Sequence, residues 1–140
     1  MRKALLLVAL LLAPAWCAAP GLTTVNATLF HELPMSQGDL TPLRGGIAFR
    51  NDSGVPLKKL RVVLHVLDGY GRPIMDLPQP EIAQLGPKQV QSLPIYVAAY
   101  SGSVAIFQLG ADVDAETPTG PQHFVLPAQE AAGPKPNFNY

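Results

Sequence analysis

The sequence predicts an all-β protein, a sandwich or barrel of short strands rather than a helical fold. Three observations predict it. Apolar residues alternate with polar ones over short runs, the period of a half-buried strand. Turn chemistry separates the runs, and the 15 prolines and 12 glycines are spread along the whole chain. No segment sustains the apolar spacing of an amphipathic helix. At 140 residues the chain is long enough for one domain with its own core.

The first strand is expected within Leu22 to Leu33, "LTTVNATLFHEL", with Val25, Ala27 and Leu29 on one side. "LRGGIAFRN" turns Ile47 and Phe49 one way and Arg44, Ala48 and Arg50 the other. "NDSG" follows; its Asn, Asp and Ser side chains bond nearby backbone, and Gly54 accepts positive φ. In "KLRVVLHVLD", Leu60, Val62, Leu64 and Val66 share one face, with Lys59, Arg61, Val63, His65 and Leu67 on the other.

"GYGRP" closes that strand as a turn. A short strand is expected around Ile82 to Leu85, then a turn at Gly86-Pro87. The next strand turns Leu93, Ile95 and Val97 inward, and Pro94 assigns it to a sheet edge or bulge. Gly102 to Ala115 reads as the longest strand, with Ala105, Phe107, Leu109, Ala111 and Val113 on one face. "QHFVL" is expected to add a short last strand. The domain then spans residues 22–127, and residues 128–140 form a Pro-rich flexible tail.

The opening "MRKALLLVALLLAPAWCAAPG" has the layout of a secretory signal peptide: Arg2 and Lys3, an apolar run, then small residues. The run falls short of the roughly 20 residues that span a bilayer. Ala15 and Cys17 suit a signal peptide of residues 1–17, with cleavage possible as late as residue 19, where Pro20 would disfavour it. Cys17 also raises lipoprotein anchoring, against which the bulky Trp16 directly before it argues. The expected location is extracytoplasmic, periplasmic or secreted, with no membrane span in the mature form. Cys17 is the single cysteine, so a mature chain without it holds no disulfide and no thiol chemistry.

Basic and acidic residues number 10 each, and removing Arg2 and Lys3 leaves the mature chain slightly acidic. That balance excludes ordinary nucleic-acid binding, which requires a basic surface.

The central residues resemble the FxLYD-type family of bacterial extracytoplasmic domains. The matching stretches are "GIAFRNDSG" (46–54), "LRVVLHVLDGYG" (60–71) and "IAQLGPK" (82–88), about a third of the chain. At the positions that name the family stand Leu64, Val66, Leu67 and Asp68, and Lys88 replaces its glycine. The resemblance implies an immunoglobulin-like β-sandwich of about seven strands and an accessory or adhesion-like role. It implies no catalytic residue.

His65 and Asp68 invite a dyad reading, but residues an odd number apart in a strand face opposite ways. His31, His65 and His123 are scattered along the chain, and "HELPM" lacks the second histidine of a zinc helix. The alternating acids Asp112, Asp114 and Glu116 share one face and suggest a calcium site, although six to eight oxygens would be needed. Their plainer role is to pair with Lys59 and Arg61 on an antiparallel neighbour. Asn26 and Asn51 fit glycosylation sequons, which matter only in a eukaryotic secretory route.

An apolar patch is expected on the outer face from Val63, Leu67, Val104 and Ile106, rimmed by Tyr70 and Tyr100. Either it is an interaction surface, or "HFVL" or the tail folds across it. The resulting expectation is an exported, non-enzymatic binding or structural module of the bacterial envelope, with no cofactor. Its partner is another envelope protein or a second copy. The alternative is a calcium-dependent binder or enzyme using Asp112, Asp114 and Glu116.

Overall fold

A computed structural model describes residues 21–31, 41–100 and 106–132, apart from the side chains of residues 41, 99 and 100. The expected signal peptide, Val104, Ala105, the Tyr100 side chain and residues 133–140 of the expected tail lie outside this description. The described residues form eight strands: β1 (Leu22–His31), β2 (Thr41–Asn51), β3 (Leu57–Asp68), β4 (Pro73–Pro78), β5 (Ile82–Leu85), β6 (Val90–Tyr100), β7 (Phe107–Thr117) and β8 (Gly120–Glu130).

They make two antiparallel sheets. One has the order β1-β2-β6; the other runs β4-β3-β7-β8, with β5 also paired to β3. The all-β sandwich is as expected, with β4 as the additional strand. The alternation of β3 is realised: Leu60, Val62, Leu64 and Val66 are buried. They meet Phe107, Leu109, Ala111 and Val113 of β7 and Leu43, Ile47 and Phe49 of β2 in one apolar core. β6 lies at the edge of its sheet, where Pro94 leaves no ladder donor missing inside the sheet.

Two bulges reset the pleat. The β1–β2 register shifts between Thr24 and Asn26. Val25, expected on the same side as Ala27 and Leu29, is therefore 44% exposed while those two are buried. In β3 the register against β7 shifts between Lys58 and Arg61, and Lys59 sits at φ 50°. The extra residue lets Leu57 and Leu60 both reach the core although they are an odd number apart.

Three further expectations are corrected. β3, with 12 residues, is longer than β7, with 11. The final strand is a full 11 residues, because β8 keeps pairing with β7 from Gly120 to Glu130. The domain thus continues past residue 127: Ala131 is buried, and Ala132 exchanges backbone hydrogen bonds with Ala27 and Leu29, tying the end of β8 to the other sheet.

Candidate functional site

The polar turn after β2 is built around Asn51, which is fully buried. Its amide donates to the carbonyl oxygens of Val55 and Leu85, while its Oδ1 accepts from the Ser53 backbone N–H and hydroxyl. This is a structural device, and it buries the nitrogen that the sequon would glycosylate. Asp68 has a similar local task. Its carboxylate accepts from the backbone N–H groups of Tyr70 and Arg72 and from the Arg72 guanidinium, which hold it below the ordinary carboxylate range.

His65 belongs elsewhere, on the outer face of the five-stranded sheet. Asp76 of β4 stands opposite it in the ladder, and Gly110 of β7 stands opposite on the other flank. His65 Nδ1 lies 2.6 Å from Asp76 Oδ1, and its Nε2 lies 2.6 Å from Asp112 Oδ2. The other oxygen of Asp112 lies 3.0 Å from His123 Nε2 on β8. His123 Nδ1 in turn meets Asp114 Oδ1 at 2.7 Å.

The result is an unbroken ladder, Asp76–His65–Asp112–His123–Asp114, running across β4, β3, β7 and β8. Alternation puts these side chains outward, and the cross-strand registers line them up. Asp76 raises the pKa of His65 most, with Asp112 adding to it; Asp114 and then Asp112 do the same for His123. Hydrogen bonding to His65, and then to His123, lowers Asp112. An ionised carboxylate only accepts, so the imidazoles fill the ladder best when both nitrogens of each carry hydrogen.

The acidic residues of β7 are thus engaged one by one. Asp112 joins the two histidines, Asp114 holds His123, and Glu116 lies 3.9 Å from Lys59. Of the expected pairing of Lys59 and Arg61 with these acids, Lys59–Glu116 forms as a loose ion pair, and Arg61 stands opposite Asp114 in the register. Among the described residues no three His, Cys, Asp or Glu side chains are placed to hold a metal ion. Beside His123 a groove of about 380 Å³ is lined by Lys59, Arg61, Glu81, Asp114 and Glu116 and by the start of β8. Its mixed charges suit polar rather than apolar contacts.

The expected apolar patch is described in part. Val63 and Leu67 are half-buried, while Ile106 and Tyr70 are exposed. "HFVL" does not fold across this face: it is the middle of β8, in plane with the sheet. There it adds Val125, 58% exposed and opposite Asp112, to the same row as Val63.

Two crystal structures are similar in fold. A Bordetella pertussis protein provisionally named ApaA matches with a TM-score of 0.58 and 15% identity, over 82% of this chain and 95% of its own. A structural-genomics target designated SoR45 matches with a TM-score of 0.56 and 10% identity, over 86% of this chain and 92% of its own. At such identities the likeness speaks to the fold alone. No protein-family model and no curated protein matches the chain.

Alternation separates His65 from Asp68, but the spacing of the histidines along the chain does not show that His65 and His123 meet through Asp112 of β7. Asp76, at the other end of the ladder, lies on β4, the strand beyond those the sequence predicts. The signal was there: in "PIMDLP" the apolar Met75 and Leu77 flank a single outward acid.

Proposed function

We propose that this chain is an exported, non-catalytic binding module of the bacterial envelope, making protein–protein contacts through the outer face of its five-stranded sheet. The observation that carries this reading is the row Val63–Asp112–Val125. It sets apolar side chains on both sides of a polar ladder whose members already satisfy one another. A partner covering that row gains apolar burial without stripping water from unpaired charges. Ile106 and Tyr70, both exposed, extend the surface at one end. Catalysis is disfavoured because a general base needs a free nitrogen, and every ring nitrogen of His65 and His123 already faces a carboxylate. The charged and apolar N-terminal residues support export.

Site-specific photo-crosslinking in cells producing the full chain tests the proposal. A crosslinker replacing Val125 should give one adduct of defined mass, with an envelope protein or a second copy. The same group at Val90, exposed on the other sheet, should not. Equal labelling at both positions, or none at Val125, overturns the assignment.

A further inference from the structure

Hydrogen-bond valence in the ladder has a consequence for the sheet. Four short contacts join two imidazoles to three carboxylates, and each ring nitrogen faces an acceptor. A neutral imidazole carries only one N–H, so its other nitrogen would turn a lone pair toward a carboxylate oxygen. The geometry is therefore that of two imidazolium ions, each bridging two strands: His65 fastens β4 to β7 across β3, and His123 binds β8 to β7 at two points.

The surroundings supply no substitute cation facing Asp76 or Asp112 across the ladder. His65 faces Asp76 from β4 and Asp112 from β7; Gly110 opposite it is uncharged, as are Val63 and Leu67, its same-face neighbours on β3. His123 faces Asp112 and Asp114 from β7, between the uncharged Pro121 and Val125 of its own strand. Across the groove lie Lys59 and Arg61 of β3 with Glu116 of β7 and Glu81, a set that balances to near neutrality. When both imidazoles lose a proton, Asp76 and Asp112 are left facing neutral rings, while Asp114 keeps Arg61 opposite it in the register.

We infer that the ladder Asp76–His65–Asp112–His123–Asp114 is a proton-dependent lock, fastening strands β4 and β8 to the central β3–β7 pair under mildly acidic conditions and loosening them as the imidazoles become neutral. The paired state remains the dominant one at either pH, and the change is more frequent local opening of the flanking strands rather than global unfolding. The direction follows from linkage. Both histidines have raised pKa values in the fold. Their contribution is complete below the unfolded value near 6.5 and disappears as pH rises through the folded values.

Backbone hydrogen exchange on the full chain at pH 5.5 and 8.5, corrected for intrinsic rates, tests this. Amides of β4 near Asp76 and of β8 near His123 should lose protection by roughly fivefold at the higher pH, as expected for a few partly exposed ion pairs. Those of β2 and β6 should not change. His65→Gln and His123→Gln should remove the pH dependence from their own flanking strands. An equal change in both sheets, or no change in β4 and β8, overturns the inference. Should the variants fold poorly, imidazole 15N titration of the unaltered chain decides. Both rings must titrate above a free imidazole; titration at or below it sinks the lock.

Discussion

The Asn51 side-chain amide donates to the carbonyl oxygen of Leu85 at 3.0 Å, joining the end of β2 to the end of β5 across 34 positions. The same amide reaches Val55 at 2.8 Å, and the backbone carbonyl of Asn51 accepts from Lys88 at 2.7 Å. One fully buried residue thus holds two turns against the sheet. Asn51→Ala removes the side-chain partner of the Leu85 carbonyl and of the Ser53 N–H, and leaves the Val55 carbonyl with the Ser53 hydroxyl alone. The expected loss is about 2–4 kcal/mol of unfolding free energy. Urea denaturation should show it as a lower midpoint at unchanged slope. Asn51→Asp should be at least as damaging, because a carboxylate would replace the donor that faces Val55 and Leu85.

Lys59 occupies the bulge of β3 at φ 50°, in the left-handed region that favours glycine. Its ammonium reaches Glu116 only at 3.9 Å, with both side chains more than half exposed, so little is lost with the side chain. Lys59→Gly should raise stability by about 0.5–1 kcal/mol, offset in part by the freer unfolded chain. Lys58→Gly, one residue away, should lower it. Thermal melts of the two variants check the sign, and a loss in Lys59→Gly would contradict a strained bulge.

The bulges also mark where the sequence ceased to be readable. Alternation in β3 placed Leu60, Val62, Leu64 and Val66 in the core because strict pairing with β7 holds from Arg61 to Asp68. It failed at Val25, where an extra residue enters β1 and no glycine or proline signals it. For the site, parity put His65, Asp112 and Asp114 outward correctly. Their meeting with Asp76 and His123 depended on the registers of β3–β4 and β7–β8, which are set by pairing between distant residues. A side chain's face is a local property; its neighbour is not.

Asp52 sets an acid limit on stability. Arg50 holds its carboxylate in a two-bond clamp and Lys88 adds a third contact, so its pKa lies far below the usual range, with the Arg50 hydrogen bonds the largest cause. A depressed folded value contributes stability that is complete above the unfolded pKa near 3.9 and is lost as pH falls toward the folded one. Asp112, lowered by His65, has the same sign. Asp52→Asn should therefore be less stable than the unaltered chain at pH 6, and the gap should narrow below pH 3. Denaturation midpoints at the two pH values measure it. A gap independent of pH would assign the loss to packing rather than to charge.

Gly45 and Gly54 separate two reasons for glycine. A Cβ on Gly45 would lie 2.0 Å from the carbonyl oxygen of Thr28 and 2.8 Å from Leu29 Cα, both backbone atoms of β1. Neither can yield without moving the strand, since Leu29 is buried and pairs with Gly45 in the ladder. Gly54 instead has φ +82° and nothing within 4 Å, so its demand is conformational. Gly45→Ala should cost about 1–3 kcal/mol by overpacking, and Gly45→Asn should cost no less. At Gly54, valine should be costly, whereas asparagine, which tolerates the left-handed region, should recover most of the loss. Urea midpoints for the four variants test the distinction. Rescue by asparagine at residue 45, or its failure at residue 54, would mean that the two sites have been assigned the wrong cause.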